Sequence, residues 1–417
     1  MRILHVTHQY WPAIGGAEQY ITHLSEELAG RGHSVTVYTS RSRDYRSWRS
    51  ELPAVEDVEG VYVRRFRSLV RGKHTWRLLD YGLRHYWPSR ARRYEPAILM
   101  GNGPVCLGLF WAVLRHLHGY DLVHLNHLHY AHTATAYLAA RGRNVPLVIT
   151  PHLHIEQPVT YDVGYMLAIL RGCEHIIAVS QVEREFLLSL GFDRQRVTTA
   201  GNGIHLEQFS GYDRLASRRQ LGLPTDAFVL LFLGRKTEYK GLDVTLEAFA
   251  ALQDHYPQLH MLGVGPETEH SRALWARYAE LPRLSNHGAV SDKLRLAALS
   301  ACDCLVMPST GEAFGIVYLE AWAAGKPVIG ARTRAVSGVI HDGRDGYLVA
   351  PGQAEQVAER LAQWMDDPDL AKRMGKAGRE KVENRYTVSR IADIVEGVYL
   401  RVLRRCSGQS AQNTSIA

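Results

Sequence analysis

The sequence predicts an α/β fold of two doubly wound, Rossmann-like domains that face each other across a cleft. Short apolar segments alternate with amphipathic segments in both halves, as strands alternate with helices around a parallel sheet. A turn-rich stretch near Asn202 interrupts this alternation, which then starts again. With 417 residues, 46% of them hydrophobic and 22% charged, the chain can give each domain its own core. The predicted domains are residues 1–202 and 203–385.

The first half opens with a strand, a loop and a helix. Arg2–Thr7 alternates apolar residues as a strand does, and Ala17–Ala29 carries apolar residues at helical spacing. Between them, His8–Gly16 is a loop that ends in two glycines. It lacks the G-x-G-x-x-G pattern, so the fingerprint of dinucleotide-binding oxidoreductases is missing. By themselves the glycines indicate a tight turn.

The rest of the first half is less regular, above all between Glu51 and Pro104. Further strands are predicted at Val58–Phe66, Asp121–Asn126, Pro146–Thr150, His175–Val179 and Arg196–Thr199, and further helices at Trp76–Tyr94, Pro104–His118, Ala131–Arg141 and Gln181–Leu190.

Four histidines fall within nine residues, at His124, His127, His129 and His132. Such a cluster can indicate a metal site, but no cysteine or E-x-x-H pattern accompanies it, so we predict no metal. His127 and His129 follow the carboxyl end of a predicted strand, where doubly wound folds place ligand contacts. We therefore expect these two residues to contact a ligand in the cleft.

The net charge of +7 is concentrated in residues 61–95, which hold ten Lys and Arg residues against two acids, with aromatic residues interleaved. Two interpretations remain open: a solvated basic face, or a docking surface for an anionic membrane or a lipid phosphate. Nucleic-acid binding is disfavoured because no recognition motif accompanies the charge.

The composition favours a cytoplasmic protein. Five scattered cysteines form neither a disulfide framework nor a CxxC pair. Met1–Pro12 is predicted as a strand and a loop rather than a signal peptide, and no apolar run approaches the length of a membrane span. We expect a cytoplasmic location, with peripheral attachment to the membrane if the basic segment binds lipid.

The second half begins with Phe228–Gly234, a continuous apolar run that predicts a buried parallel strand. Arg235 and Lys240 follow in the next loop. Two cations at the carboxyl end of a strand would neutralise a pyrophosphate, whereas the alternative is an ordinary solvated loop. His260–Gly265 is predicted as the next strand.

The most informative segment is a strand, a turn and a helix around residue 312. Ala301–Met307 is predicted as a buried strand and Ser309–Glu312 as a turn. Apolar residues at helical spacing begin at Phe314, and Gly325 ends the helix.

This unit carries two carboxylates and a helix N-terminus. Glu320 lies eight residues after Glu312, which is roughly 12 Å along a helix axis. The backbone N–H groups that would form an anion site between them are those of Phe314, Gly315, Ile316 and Val317. A nucleotide-sugar fits this pattern, with sugar hydroxyls at Glu312, the pyrophosphate at the helix and ribose hydroxyls at Glu320. The alternative is that both acids are ordinary positions of a solvated helix.

The run from Glu312 through Glu320 to Gly330 closely resembles the E-x7-E signature of retaining glycosyltransferases of family 4, with Ala313 and Trp322 as mild departures from the family's Gly and Met. The resemblance implies a GT-B fold and retaining transfer from a nucleotide-diphosphate sugar to a glycan, lipid-linked or small-molecule acceptor. It implies no metal or other cofactor and favours a UDP-sugar over a GDP- or ADP-sugar. It also implies that a helix over 386–404 crosses back to the first domain; the small, polar residues 405–417 are predicted to be disordered.

The same resemblance implies a role for individual residues. His152, in a T-x-H segment, would contact the donor sugar near the reacting carbon, and Glu312 would hold its hydroxyls. Arg235 and Lys240 would stabilise the leaving diphosphate. The further residues expected to contact the donor or its nucleotide are Gly15, Gly16, Gly265, Val290, Phe314, Gly315, Ile316, Val317 and Glu320. The acceptor-side candidates are Tyr10, His127 and His129.

Two other functions remain open at this point. One is a GT-B epimerase or phosphorylase acting on related sugars, and the other is a non-catalytic GT-B partner that only binds a glycan or a membrane. An epimerase would convert a nucleotide-sugar without an acceptor, and a phosphorylase would depend on free phosphate. A non-catalytic partner would bind no nucleotide-sugar.

Overall fold

The structure, a computed structural model, describes residues 1–13, 15–43 and 47–414. It divides into two compact units, Met1–Gly203 with Val388–Ala417, and Ile204–Thr387. The first boundary lies one residue beyond the end of the predicted first domain at residue 202.

The first unit is built on an eight-stranded sheet in the order β3-β4-β2-β1-β5-β6-β7-β8. Its strands are β1 (Arg2–Val6), β2 (Ser34–Ser40), β3 (Val55–Val58), β4 (Val61–Phe66), β5 (Leu122–Asn126), β6 (Leu147–Thr150), β7 (His175–Ala178) and β8 (Val197–Thr199). Its helices before residue 204 are α1 (Gly16–Gly30), α2 (Lys73–Ser89), α3 (Glu95–Asn102), α4 (Leu107–His116), α5 (Ala131–Ala140), α6 (Gly164–Gly172) and α7 (Gln181–Ser189). Neighbouring strands are parallel except for the antiparallel pair β3 and β4. The order reverses between β1 and β5, which creates a topological switch point there.

The second unit has a six-stranded parallel sheet in the order β11-β10-β9-β12-β13-β14, with its switch point between β9 and β12. Its strands are β9 (Phe228–Leu233), β10 (Leu259–Val264), β11 (Leu284–His287), β12 (Cys304–Met307), β13 (Val328–Ala331) and β14 (Gly346–Val349). Its helices are α8 (Arg214–Gln220), α9 (Leu242–Leu252), α10 (Glu269–Arg277), α11 (Asp292–Ala301), α12 (Ile316–Ala323), α13 (Arg334–Ser337), α14 (Ala354–Asp366) and α15 (Pro368–Arg385).

Both faces of the first sheet are covered by apolar residues. Successive residues of β1 point to opposite faces, so that Leu4 packs in one core cluster and Ile3 in another. The second cluster also contains Leu24 of α1 and Val395 of the C-terminal helix. This C-terminal helix, α16 (Val388–Thr414), therefore belongs to the first unit.

The extent of α16 differs from the prediction. The helix continues to Thr414, so residues 405–414 are not the predicted disordered tail; residues 415–417 lie outside the described residues. Cys406 still packs against the core cluster of α1. A helix that is already anchored gains one backbone hydrogen bond for each added residue, which offsets the weak apolar pattern of its last turns.

The elements observed in residues 55–116 differ in detail from those predicted from their weak sequence pattern. The predicted strand Val58–Phe66 is a hairpin of β3 and β4, and the short helix α3 follows α2 where no separate helix was predicted. Among the described residues no single helix is long and apolar enough to cross a membrane. One pair of helices, Arg92–Asn102 with Leu107–Gly119, meets that test of length and composition together, but it is bent by 99°.

Candidate functional site

Two loops lie side by side at the switch point of the second unit. One follows β9 over residues 234–241, and the other follows β12 over residues 308–315. The Tyr239 carbonyl accepts hydrogen bonds from the Thr310 N–H at 2.8 Å and the Ser309 hydroxyl at 3.1 Å. Gly241 has φ 75°, and a Cβ there would lie 2.6 Å from the Pro308 oxygen. Glycine at this position therefore allows the two loops to approach.

An ion pair joins these loops. The Lys240 ammonium donates to Glu312 Oε1, and both side chains are largely buried, with 16% and 10% of their surface exposed. Lys240 Nζ also lies 5.4 Å from the centre of the Tyr239 ring. The structure thus brings together the cation and the carboxylate that the sequence analysis selected independently. An ammonium has three donors, so this contact does not exhaust its capacity.

The helix N-terminus next to this pair begins two residues later than predicted. α12 starts at Ile316 after Gly315, which has φ 93° and makes no side-chain capping bond. The Phe314 ring is buried and packs edge-on against Tyr386 at 5.7 Å. Gly315 has no side chain that could cap this end, so the amides of Ile316 and Val317 are the helix donors suited to an anion.

Glu320 is held inside the same unit. It is buried, and its Oε1 accepts a hydrogen bond from Arg295 Nη1 at 2.5 Å, while Arg295 also contacts Asp292 at 3.1 Å. Burial raises the pKa of the Glu320 carboxyl, and the Arg295 charge opposes that rise. Arg295 was not among the predicted site residues.

A buried lysine ties together the ends of three neighbouring strands. Lys236, directly after β9, donates to Glu267 after β10, to Asn286 of β11 and, at 2.8 Å, to the His287 carbonyl. Burial lowers the pKa of the Lys236 ammonium, while Glu267 opposes the shift. Arg235 is half-buried at the start of the same loop. These hydrogen bonds hold together the carboxyl ends of β9, β10 and β11, where the loops that follow these strands begin.

Two predicted nucleotide contacts lie at this edge. Gly265 follows β10 with φ 135°, and a Cβ there would lie 2.0 Å from the Gly234 oxygen, so only glycine fits without displacement. Val290 is half-buried in the loop between β11 and α11. Gly265 thus follows β10, the neighbour of β9, and Val290 follows β11, the neighbour of β10.

In the first unit, His152 lies at the switch-point edge. It is buried, has φ 51°, and its Nε2 lies 2.8 Å from Asn126 Oδ1 at the end of β5. The Asn126 amide nitrogen donates to Thr7 and to the Ala17 carbonyl, which orients the Asn126 oxygen towards His152. His152 therefore donates from Nε2, and Nδ1 is its unprotonated nitrogen.

A cluster of rings surrounds His152. The His127 ring centre lies 5.5 Å from that of His152, 4.5 Å from His129 and 5.1 Å from His8. Tyr130 stacks on His8 with a centroid distance of 4.1 Å. The Nδ1 atoms of His8 and His127 are buried and have no hydrogen-bond partner among the described residues. Buried polar atoms of this kind are expected where a ligand completes the contacts.

The glycine loop is connected to this cluster through Glu18. Glu18 Oε1 lies 2.8 Å from His8 Nε2. Burial would raise the pKa of Glu18, but the His8 imidazole outweighs it, and the pKa is lowered. A Cβ at Gly15 would lie 2.2 Å from the Glu18 carboxylate, and Gly16 begins α1.

Tyr10 does not join the histidine cluster. It is 1% exposed and packs in the same core cluster as Ile21 and Leu24 of α1. A turn closed by the Ala13 N–H and the Tyr10 carbonyl accompanies this inward position. The predicted acceptor-side position is therefore wrong for Tyr10.

Comparison with known proteins decides the family. Residues 213–381 match the family described as glycosyl transferases group 1, and residues 15–203 match the glycosyl transferase 4-like domain. The D-inositol 3-phosphate glycosyltransferase of Streptomyces scabiei is 31% identical over 397 residues, which cover 89% of this chain and 83% of that protein. The chain belongs to the group 1 glycosyltransferases. A relative of the same name from Streptomyces avermitilis is 30% identical over 395 residues, covering 88% of this chain and 79% of its own.

Solved structures confirm the fold of this glycosyltransferase. Sucrose-phosphate synthase from Thermosynechococcus elongatus matches with a TM-score of 0.74 and 22% identity, covering 97% of this chain and 99% of its own. HepE from Anabaena, solved with UDP-glucose, matches with a TM-score of 0.72 and 21% identity, and the match covers 95% of this chain and 99% of the HepE chain. The predicted GT-B class with two Rossmann-like domains is confirmed, and the protein transfers a sugar from a nucleotide-sugar to an acceptor.

Three residues escaped the sequence analysis: Lys236 and Arg295 in the second unit, and His8 in the first unit. No local pattern marked Lys236, whose side-chain partners Glu267 and Asn286 are distant in sequence. No sequence pattern marked Arg295, whose partner is 25 residues away. Among the described residues, no group of three or more His, Cys, Asp or Glu side chains is arranged to hold a metal ion.

The imidazoles of His152, His127 and His129 are neutral near pH 7. Burial lowers the pKa of His152 to about 3, although the Glu18 charge opposes the shift. Burial likewise lowers the pKa of His127 and His129 well below the usual value, with neighbouring imidazoles adding to the effect. Neutral rings can both donate and accept hydrogen bonds, as hydroxyl groups require.

This burial predicts a pH-dependent effect of His152 on stability. The unfolded chain takes up its proton near pH 6.5 and the folded chain only near pH 3. The stability linked to the neutral ring is therefore full above pH 6.5 and is lost as the pH falls below it. Between pH 7.5 and 5.5, the free energy of unfolding of the wild type should therefore fall by about 1.4 kcal/mol more than that of His152→Asn.

Urea unfolding of both proteins at the two pH values measures this difference. Asn is chosen because it tolerates a positive φ. His74→Gln, on an exposed position of α2, is the control and should change stability equally at both pH values. If the difference in free energy of unfolding between wild type and His152→Asn stayed constant with pH, the ring of His152 would titrate normally in the folded protein, against the prediction.

Proposed function

We propose that this glycosyltransferase uses a UDP-sugar, retains the configuration of the anomeric carbon and needs no metal ion. The observation that carries the proposal is the buried Lys240–Glu312 pair beside the N-terminus of α12, at the switch point of the second unit. A doubly wound domain binds its ligands at this point.

The proposed mechanism stabilises the charge of the leaving diphosphate. Negative charge grows on the diphosphate as the bond to the sugar breaks. Lys240, Arg235 and the amides at the start of α12 would meet that charge with fixed donors, which need no reorganisation during the reaction. Such donors can supply the electrostatic stabilisation that a metal ion supplies elsewhere.

Glu312 is assigned to the hydroxyls of the transferred sugar. The ion pair with the Lys240 ammonium occupies Glu312 Oε1, so positioning rather than nucleophilic attack is its expected role. His152, with a neutral ring and Nδ1 unprotonated, would accept a hydrogen bond from the sugar. Retention is supported by the likeness of the E-x7-E run to family 4, and the anomeric coupling constant of the product in NMR would test it.

The choice of UDP is supported by HepE, which was solved with UDP and with UDP-glucose. The Glu320 carboxylate, which Arg295 holds in place through Oε1, would receive the ribose hydroxyls. The histidine cluster of the first unit is assigned to acceptor hydroxyls, because His8 and His127 have buried nitrogens without a partner among the described residues.

Isothermal titration calorimetry tests the donor. UDP should bind at least about tenfold more tightly than GDP or ADP, since a site that hydrogen-bonds one base leaves its polar groups unpaired with another. EDTA should leave the UDP affinity and the rate of transfer unchanged. Equal binding of the three nucleotides would refute the choice of UDP, and loss of activity in EDTA that is restored by a divalent cation would refute metal independence.

A further inference from the structure

The first unit carries a concentrated exposed apolar surface. Among the described residues, the three most exposed large hydrophobic side chains are Leu107 at 67%, Trp111 at 61% and Val70 at 58%; Leu69, next to Val70, is 52% exposed. Single exposed apolar residues are common, but a contiguous group indicates a contact surface. We call Leu69, Val70, Leu107 and Trp111 the apolar face.

A backbone hydrogen bond and the spacing of α4 place these four residues in one region of the first unit. The Leu69 N–H donates to the Val105 carbonyl at 3.0 Å, which places the 69–70 segment beside the start of α4. Leu107 and Trp111 lie one turn apart on that helix and therefore share a side. The apolar face thus combines a loop and the exposed side of α4.

The segment that carries the apolar face is rich in positive charge. Residues 61–118 contain eleven Lys and Arg residues against two acids, and Asp80, one of these acids, is paired with Arg84. Arg67, Lys73 and Arg77 are exposed near the face along the chain. The Arg71 guanidinium lies 3.5 Å from the centre of the exposed Trp76 ring. Aliphatic and tryptophan side chains with a rim of Arg and Lys match the chemistry of an anionic lipid interface.

The apolar face is connected to the histidine cluster within the same unit. Ser68, next to Leu69, donates to the Trp48 carbonyl at 2.7 Å. The Trp48 ring lies 5.6 Å from Tyr130 and 6.1 Å from His8. A surface held by the apolar face would therefore lie close to the proposed acceptor site.

We propose that the apolar face docks this glycosyltransferase on an anionic bilayer and that its acceptor is a lipid-linked hydroxyl compound presented from that bilayer. The acceptor part rests on the proposed function of the histidine cluster. Leu107 and Trp111 enter the interface, while Arg67, Lys73 and Arg77 contact anionic headgroups. Both contributions are needed, because one short apolar patch alone gives weak, reversible binding.

Vesicle co-sedimentation tests the docking surface. The full chain should bind vesicles of phosphatidylcholine with phosphatidylglycerol, bind vesicles of phosphatidylcholine alone weakly, and lose affinity as salt rises. The double variant Leu107→Ser/Trp111→Ser should lose about tenfold or more in affinity. Leu138→Ser, which removes a residue of α5 that is 57% exposed outside the face, should bind as wild type does. Arg67→Glu/Lys73→Glu should weaken binding only to the anionic vesicles.

The controls separate this inference from the proposed donor site. UDP calorimetry and a thermal melt on each variant show whether the protein is folded and binds its nucleotide. A wild-type protein that binds UDP but no anionic vesicle would overturn the docking surface alone. Vesicle binding that survives both double variants, or retention on immobilised single-stranded DNA without vesicle binding, would also overturn it. If the protein bound anionic vesicles but transferred sugar only to water-soluble acceptors, the proposal of a lipid-linked acceptor would be wrong.

Discussion

Lys240→Ala should lower kcat/KM by about a hundredfold or more, which corresponds to roughly 3 kcal/mol of lost transition-state stabilisation. The substitution removes a cation that is largely buried at the switch point and leaves the Glu312 carboxylate without its ion-pair partner. The affinity for UDP should fall as well, because the ammonium is expected to contact the diphosphate in the ground state. Initial rates with a donor identified by calorimetry, together with a UDP titration, measure both effects.

Lys326→Ala is the matched control. Lys326 follows α12 at its other end, just before β13, and is also half-buried. The distance along α12 removes it from the proposed diphosphate site, so turnover should stay at the wild-type value. Equal losses in the two variants would indicate a general effect of lost positive charge and would contradict the role given to Lys240.

Glu312→Ala should lower kcat by a similar factor of about a hundred. Here the expected pattern differs, because UDP has no transferred sugar. The variant should bind UDP at least as tightly as wild type, since Lys240 is then released from its partner. Titration of UDP and of the intact UDP-sugar would show the loss only for the sugar-bearing ligand.

Cys302→Ser provides the control for this second variant. Cys302 is fully buried at the end of α11, and its thiol lies 3.3 Å from the Leu299 carbonyl, a contact that a serine hydroxyl can reproduce. Its turnover should match wild type. If Glu312→Ala also retained wild-type turnover, the carboxylate would have no part in holding the sugar.

The proximity of the two loops that carry Lys240 and Glu312 has a physical reason that can be found in the sequence. β9 and β12 are continuous apolar runs, and buried parallel strands leave such runs. Arg235, Lys240 and Glu312 all follow the carboxyl ends of these strands, where chain topology brings loops together. The contact between Lys240 and Glu312 therefore follows from strand order, which the alternation of elements made predictable.

The parts that were missed depend on tertiary packing. Lys236 is buried through partners on β11 and in the loop after β10, and no local pattern distinguishes it from the exposed cation expected in a loop. Tyr10 and His8 are two residues apart in one irregular loop, yet one packs in the core and the other joins the ring cluster. Loops lack the periodicity that assigns strand residues to a face, so sequence alone could not separate these two.

A crystal structure with UDP bound tests the central claim most directly. The diphosphate should lie within hydrogen-bond distance of Lys240 and of the amides of Ile316 and Val317, with the ribose hydroxyls at Glu320. A diphosphate bound elsewhere, out of reach of both Lys240 and the start of α12, would contradict the proposed donor site.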